Sequence, residues 1–339
     1  MLTQLPGNIP FYPDAIPIVF ASDNNYVPYM SAAMQSIIEN SSMNRKYVFF
    51  ILHNKITNEA IDLLCKQISP YKQFAINFID VTEYISKYSL FISRHITVET
   101  YFRFLIPELL SDYQKAIYLD CDMIVCTDIA ELFDTNLENY LLAATRDISV
   151  ASKWCYQLIF PKKIKMSHNS FSRLKNPYNY FCAGLCVFNI DLFRRTITQE
   201  KLFDLAMSNQ WDYHDQDVLN IIAEDKIFFL SFHWGFYESD KAKYLPEHVK
   251  KEYFEAKENP KIIHFVKKPW KKSYYILHSE LFWKSAIRTP FIFDIINAIN
   301  MKQLPLKNRI IADITNRKLS LKFILIDCVK AWIFRDKIR

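Results

Sequence analysis

The sequence predicts an α/β protein in which helices cover both faces of a mixed, mostly parallel β-sheet. Along the first 80 residues, short apolar segments alternate with segments of helical periodicity, and this alternation is typical of parallel sheets. Half of the 339 residues are hydrophobic, which is enough for one large core with or without a smaller appendage. Ligands of such sheets bind beyond the carboxyl ends of the strands, so polar residues at those ends are the first candidates for a functional site.

The elements begin in the order β-α-β-α-β, which predicts the parallel part of the sheet. Strands are predicted at residues 16–21, 47–52, 74–79, 116–119, 181–189 and 261–266. Helices are predicted at residues 29–38, 59–68, 97–110, 192–207 and 217–224. Asp23 and Asp120 then both lie at the carboxyl end of a strand, and we expect them to meet in one crevice.

The segment from Ser152 to Tyr180 lacks periodicity and is predicted as a long surface loop. It contains several cationic side chains, and loops of this length in a compact domain are usually functional or disordered. Binding of an acidic acceptor and simple solvation of the lysines are both open interpretations.

Two aspartates separated by one residue interrupt an apolar segment in the middle of the chain. Asp120 and Asp122 lie between AIYL (116–119) and MIV (123–125), a pattern that predicts a buried strand. Side chains at positions i and i+2 of a strand share a face, and two ionised carboxylates there repel each other unless a cation or donors neutralise them. All-oxygen ligation suits Mg²⁺ or Mn²⁺, which complete their shells with water and substrate phosphates. The alternative is a capping or loop pair without a metal.

The composition restricts how a phosphate group can be bound. Gly7, Gly184 and Gly235 are the only glycines, so the sequence has no Gly-rich phosphate loop, and any phosphate must be held by metal and side chains.

The cysteines and the first residues indicate the compartment. Seven cysteines form no C-x-x-C pair, and no charged segment followed by a cleavable apolar segment is found at the beginning. We therefore expect a reducing compartment, the cytoplasm.

Positive charge is concentrated near the C-terminal end. Residues 307–339 contain nine Lys and Arg against three Asp, which accounts for the whole net charge of +6. Apolar residues recur there at helical spacing and include Trp332, which indicates a basic amphipathic helix. Such a helix can bind an anionic membrane surface or pack on the domain with a solvated basic face. No apolar run reaches the roughly 20 residues that a spanning helix needs.

Six segments, in this order, resemble glycosyltransferase family 8, the retaining sugar-nucleotide transferases of GT-A fold, and especially its bacterial lipopolysaccharide hexosyltransferases. They are IVFASDNNY (18–26), TYFRFLIPELL (100–110), AIYLDCDMIV (116–125), FCAGLCVFNI (181–190), HDQDVLN (214–220) and IIHFVKKPW (262–270). The resemblance implies a GT-A catalytic domain with a Rossmann-like sheet at residues 1–285. A basic helical region at 286–339 would dock on the membrane or on the acceptor.

The resemblance also implies roles for individual side chains. The uridine of the donor would be bound by Ala21, Asp23, Asn25 and Tyr26. Mn²⁺, or Mg²⁺, would be bound by Asp120, Asp122 and His264, with Cys121 also contacting the donor. The catalytic and sugar-binding side of the site would comprise Arg103, Asp215 and Gln216, with Cys182 and Gly184 beside the sugar. Asp147 would face the acceptor.

The sequence departs from the family pattern at two places. Cys182 stands where the family usually has Asn before Ala-Gly, so one hydrogen bond to the sugar is expected to change, and glucose and galactose both stay open as donor sugars. The segment from His264 to Trp270 is shorter than usual and lacks a Gly. Lys268 matches the diphosphate-binding lysine by its place before Pro-Trp, and Lys267 is the alternative.

The activity expected from this resemblance is transfer of a hexose, with retention, from its uridine diphosphate carrier to a lipopolysaccharide core or a related surface glycan. The enzyme would be cytoplasmic and peripheral on the inner face of the cytoplasmic membrane. Gln216 is a poor nucleophile, which favours same-face attack over double displacement. Alternatives are a metal-dependent nucleotidyltransferase or phosphohydrolase, transfer to a protein-linked glycan, and a non-catalytic sugar-nucleotide sensor. A nucleic-acid partner is not expected, because no base-reading motif is present.

Overall fold

A computed structural model describes residues 9–93, 97–160, 170–271 and 276–299. Its strands are β1 Ala15–Ser22, β2 Lys46–His53, β3 Phe74–Asp80, β4 Lys115–Leu119, β5 Met123–Val125, β6 Leu142–Thr145, β7 Leu185–Asn189, β8 Ile227–Leu230 and β9 Ile262–His264. Its α-helices are α1 Val27–Asn40, α2 Asn58–Ile68, α3 Thr82–Ile85, α4 Ile106–Leu109, α5 Ala130–Phe133, α6 Ile148–Ile159, α7 Ile190–Thr196, α8 Gln199–Met207, α9 His214–Ala223, α10 Glu247–Glu258, α11 Ser279–Ala286 and α12 Ile292–Asn297. Its 3-10 helices are Val98–Leu105, Phe171–Arg173, Pro177–Asn179, Phe232–Trp234 and Asp240–Tyr244.

The central sheet has the strand order β3-β2-β1-β4-β7-β6-β8. Strands β1 to β4 pair in parallel, β6 pairs in parallel with β8, and β7 runs antiparallel to both of its neighbours. The mixed, mostly parallel sheet predicted from the sequence is thus confirmed. Because β1 and β4 are parallel neighbours, Asp23 and Asp120 lie at the same edge of the sheet, as expected.

Helices cover both faces of this sheet. Val19 and Ala21 of β1 pack in one apolar cluster with the 3-10 helix Val98–Leu105, whereas Ile18 and Phe20 pack with α1 and α2 on the other face. This alternation follows from the two-residue period of a strand and makes β1 fully buried. A third cluster joins α1, α10, α11 and α12 to β9. No helix in the described ranges has both the length and the apolarity that crossing a bilayer requires.

A separate two-stranded sheet brings distant parts of the chain together. Strand β5 pairs antiparallel with β9, and Met123 lies opposite His264. The chain between β4 and β5, which contains both aspartates, forms a tight turn. The prediction that Asp120 and Asp122 share one face of a continuous strand was therefore wrong. The turn, and not strand periodicity, directs both side chains toward His264.

Other element boundaries also differ from the sequence prediction. The segment predicted as one helix at 97–110 is the 3-10 helix Val98–Leu105 followed by α4, and the segment at 192–207 is divided between α7 and α8. The predicted loop at 152–180 begins as part of α6, whose N-terminus is capped by the side chain of Asp147. The loop prediction was wrong there, because it did not take this cap into account.

The predicted basic helix at 307–339 lies outside the described residues, so it stays a prediction. The division of the chain at residue 285 also stays a prediction. Beyond it, Ile295 and Ile296 of α12 are buried in the third apolar cluster, together with residues of α1 and β9.

Candidate active site

A cavity of about 430 Å³ lies at the carboxyl ends of β1 and β4. Its lining includes most of the side chains singled out in the sequence, namely Ala21, Asp23, Tyr26, Arg103, Asp120, Cys121, Asp122, Asp147, Cys182, Gln216, His264 and Lys268. Asn25, Gly184 and Asp215 do not line it but contact residues that do. Sequence reasoning missed the other lining residues, which are Ser22, Thr97, Glu99, Thr100, Tyr118, Tyr213 and Val266.

The loop after β1 forms one end of the cavity. Asp23 holds this loop, because its Oδ1 accepts the Tyr26 N–H at 2.9 Å and its Oδ2 accepts the Asn25 amide at 2.9 Å. The Tyr26 ring packs edge-on against Tyr29, with 5.5 Å between ring centroids, and Tyr29 stacks on Trp270 at 4.0 Å. Burial raises the pKa of Tyr26 to about 12, so its hydroxyl stays protonated. This end of the cavity therefore presents a fixed aromatic wall, which suits a planar base.

Asp120, Asp122 and His264 form an acidic cluster in the middle of the cavity. One ligand atom from each lies within 4.8 Å of the other two, which is the spacing that a shared cation requires. His264 Nε2 is 3.2 Å from Asp122 Oδ1 and 3.8 Å from Asp120 Oδ2. Asp122 is only 7 % exposed, and within the described ranges its Oδ1 accepts no hydrogen bond. A buried carboxylate oxygen without a donor is costly, and this cost makes the atom a candidate metal ligand on physical grounds.

Gly184 lets the side chains of Asp120 and His264 lie directly against its backbone. A Cβ atom at this position would lie 2.7 Å from Asp120 Oδ2 and 2.7 Å from His264 Cε1. The Gly184 carbonyl also accepts the Asp120 N–H at 2.8 Å, which fixes the turn that carries the aspartates. The two carboxylates and the imidazole, brought together by this close approach, fit a divalent cation that accepts oxygen and imidazole ligands, such as Mn²⁺.

Gly184→Ala should weaken Mn²⁺ binding by about 10- to 100-fold, because the new methyl group displaces Asp120 or His264. Isothermal titration with Mn²⁺ measures this effect. Gly235→Ala is the matched control, since its Cβ would lie 2.6 Å from Thr145 Oγ1, away from the acidic cluster. Both variants should lose stability, but only the first should lose metal affinity. Equal Mn²⁺ affinity in the two variants would contradict the placement of the metal.

Lys268, and not Lys267, contacts the acidic cluster. Its Nζ forms an ion pair with Asp122 Oδ2, and its side chain is 21 % exposed. The Lys267 side chain is 47 % exposed and pairs with Glu238 at 3.3 Å. The Phe265 N–H donates to the Asp122 carbonyl at 2.9 Å, so the shortened segment is held against the turn. Burial lowers the pKa of Lys268 to about 8, which leaves most of its amine charged at neutral pH.

Arg103 connects the acidic cluster to the other end of the cavity. It is 4 % exposed, its Nη2 lies 3.1 Å from Asp120 Oδ1, and its Nε lies 2.9 Å from Asp215 Oδ2. Asp215 Oδ1 also accepts the Thr100 hydroxyl. Burial raises the pKa of Asp215 to about 6 although Arg103 opposes this shift. At neutral pH Asp215 is therefore largely ionised and paired.

Gln216 and Asp147 lie at the same end of the cavity. Gln216 Oε1 accepts the Ala183 N–H at 2.9 Å, and its Nε2 lies 3.4 Å from Asp147 Oδ2. Asp147 Oδ1 accepts the Val150 N–H at 2.9 Å and the Tyr237 hydroxyl at 3.0 Å, so the carboxylate is held between α6 and Tyr237.

Asp217, the acidic residue that follows Gln216 in the chain, faces away from the cavity. It is fully buried and accepts hydrogen bonds from the Tyr180 hydroxyl at 2.6 Å and from the Tyr213 N–H at 2.8 Å. Asp217 therefore stabilises the fold around Gln216 and is not available to a substrate.

Two cysteines lie beside residues of the site, and neither belongs to the Asp120, Asp122 and His264 cluster. Cys182 Sγ lies 3.7 Å from His264 Nδ1, on the side of the ring opposite to the nitrogen that faces the aspartates. Cys121 Sγ lies 3.2 Å from the Ala21 carbonyl, and burial raises the pKa of its thiol well above the usual range. Cys182 thus contacts a candidate metal ligand at the position where the family usually has Asn.

Comparisons with known proteins agree with this geometry. The family model for glycosyl transferase family 8 matches residues 17–273. A Haemophilus influenzae protein named as a glycosyltransferase is 29% identical over 232 residues, which cover 66% of this chain and 64% of that protein. The apo structure of the bifunctional glycosyltransferase WbbM aligns with a TM-score of 0.74 and 25% identity, over 86% of this chain and 53% of WbbM. The chain thus spans less than two thirds of either protein.

The galactosyltransferase LgtC, solved in complex with donor and acceptor sugar analogs, has the same fold. Its TM-score is 0.64 at 21% identity, and the alignment covers 81% of this chain and 96% of LgtC. Since the family model matches well over half of the sequence, the protein belongs to glycosyltransferase family 8 and has the GT-A fold.

Proposed function

We propose that the protein is a retaining, Mn²⁺-dependent hexosyltransferase that transfers glucose or galactose from a uridine diphosphate sugar to a lipopolysaccharide core or a related surface glycan. The observation that carries the proposal is the order in which aromatic, acidic and basic side chains follow one another along the cavity. An aromatic end formed by Tyr26 adjoins the acidic cluster with Lys268, and Arg103 joins that cluster to Asp215. A base, a diphosphate and a hexose follow one another in the same order in the donor.

The middle of the cavity supports departure of the diphosphate. Asp120, Asp122 and His264 would hold the metal ion, which when bound neutralises negative charge on the diphosphate oxygens. Lys268 supplies a second positive charge beside Asp122. Fixed charges and donors that face a developing anion usually contribute more to catalysis than any other effect, and each is worth about 3 kcal/mol.

Retention by same-face attack is consistent with residues 215–217. Asp215 is paired with Arg103, the Gln216 carbonyl oxygen accepts a backbone N–H, and Asp217 is bound to Tyr180. None of the three presents a free carboxylate to the anomeric carbon. A departing phosphate oxygen would then take the proton of the acceptor hydroxyl, while Asp147 would lie on the acceptor side.

The donor and the reaction can be tested without knowledge of the acceptor. The protein is incubated with Mn²⁺ and a panel that includes UDP-glucose, UDP-galactose, UDP-N-acetylglucosamine and GDP-mannose, and slow hydrolysis is followed by product analysis. We expect UDP and free hexose from UDP-glucose or UDP-galactose. Release of UMP, with the sugar still phosphorylated, would instead favour the phosphohydrolase or nucleotidyltransferase alternative.

For the acceptor we propose a lipid-linked glycan at the inner face of the cytoplasmic membrane, with residues 307–339 as the docking segment. The concentration of basic side chains in this segment, nine against three acidic ones, supports attraction to anionic lipids. Removal of residues 307–339 should therefore weaken binding to phosphatidylglycerol vesicles and leave donor hydrolysis unchanged. Sedimentation with vesicles at several salt concentrations measures this. Binding that is equal in the two proteins and insensitive to salt would contradict the docking role.

A further inference from the structure

Glu99 is a buried acidic residue of the cavity wall that lies outside the acidic cluster. It lies in the first turn of the 3-10 helix Val98–Leu105, is 9 % exposed and lines the cavity. Among the described residues, its side chain forms no hydrogen bond and no ion pair. Its carboxylate oxygens are not among the fully enclosed polar atoms that lack a partner, so they face the cavity space, where a ligand group can be their partner.

The surroundings restrict what this partner can be. The neighbouring Thr100 donates its hydroxyl to Asp215, and Arg103 of the same helix pairs with Asp215 and Asp120. Glu99 therefore belongs to the wall that also carries the candidate sugar-binding groups. A carboxylate repels a diphosphate, so the ligand group it faces has to be a donor of hydrogen bonds without negative charge. Sugar hydroxyls have this property, and two adjacent hydroxyls can bind both carboxylate oxygens.

We infer that Glu99 binds hydroxyl groups of the donor hexose and contributes to recognition of the sugar, an inference that rests on the proposed function. Hydrogen bonds to a charged acceptor change affinity by about 10- to 100-fold. Because the contact is with the sugar, the affinity for UDP without a sugar should not depend on Glu99. This difference separates recognition of the hexose from general effects on the nucleotide site.

The test uses the full chain with Mn²⁺ and titrates it with UDP, UDP-glucose and UDP-galactose. In Glu99→Gln we expect about tenfold weaker binding of the UDP-hexose that the wild type prefers, with unchanged binding of UDP. Glu108→Gln is the matched control, because Glu108 lies on α4, outside the cavity, and pairs with Arg194. That variant should bind all three ligands like the wild type.

Thermal unfolding of the ligand-free proteins distinguishes recognition from a structural role. An acidic residue in a first helical turn also stabilises the helix N-terminus. If this were the function of Glu99, Glu99→Gln would lower the Tm and leave the affinity for UDP-hexose unchanged, which overturns the inference. Loss of turnover at unchanged UDP-hexose affinity would overturn it too. Absence of UDP-hexose binding by the wild-type protein would overturn the proposed function together with this inference.

Discussion

Replacement of Asp122 by Asn should lower turnover of the UDP-hexose by about 100- to 1,000-fold or more. The side chain is buried, its Oδ1 has no hydrogen-bond donor within the described part of the chain, and it lies 3.2 Å from His264 Nε2. Asn has nearly the same shape but carries no charge, so it preserves the turn while it removes the negative charge of a candidate metal ligand. Initial rates at saturating donor, together with titration of Mn²⁺, measure both consequences.

Asp134→Asn provides the control for this substitution. Asp134 is an exposed aspartate that pairs with Arg45 at 3.0 Å on another part of the surface. Its replacement should leave turnover and Mn²⁺ affinity unchanged, because exposed ion pairs contribute little. Undiminished activity of Asp122→Asn, or activity of the wild type in excess chelator, would show that the acidic cluster has another purpose.

Lys268→Ala should have the second largest effect, a decrease in turnover of about 100-fold. The ammonium group contacts the Asp122 carboxylate at the point where a metal-bound diphosphate would lie. Its removal takes away one positive charge that would face the leaving group. Rates of donor hydrolysis at saturating UDP-hexose report this loss, since they do not depend on the acceptor.

The neighbouring lysine makes this prediction specific. Lys267→Ala removes the same charge one residue away, from a side chain that is exposed and paired with Glu238. We expect this variant to retain most of its activity. If Lys267→Ala were the impaired variant and Lys268→Ala the active one, the shortened segment would position its lysines differently when the donor is bound.

The regular part of the fold could be predicted from the sequence because its signals are local. The apolar strands β1, β2 and β3 alternate along the sequence with the helical segments α1 and α2, and parallel pairing follows from this alternation. The tight turn at Asp120 to Asp122 could not be recognised, since apolar residues on both sides imitate a continuous strand. Helix α6 was missed although Asp147 gives a cap signal that could have located its beginning.

The candidate site was predictable to a smaller extent. His264 meets the aspartates only because β5 and β9 pair across a large separation in the sequence, and a single sequence does not reveal such pairing. The resemblance to the family identified His264 as a candidate site residue, as it identified Arg103 and Gln216. Glu99 and Thr100 are polar residues of a short 3-10 helix, and the sequence alone does not distinguish a polar side chain that faces the cavity from one that faces the solvent. The structure was needed to find them.

We propose that side chains from the β4–β5 turn and from the end of β9 bind one divalent cation that carries the donor diphosphate. Anomalous diffraction at the manganese edge, from crystals grown with Mn²⁺ and a UDP-hexose, tests it most directly. We expect one strong peak within coordination distance of Asp120, Asp122 and His264, in contact with the diphosphate. A bound UDP-hexose with no manganese at these three side chains would contradict the claim.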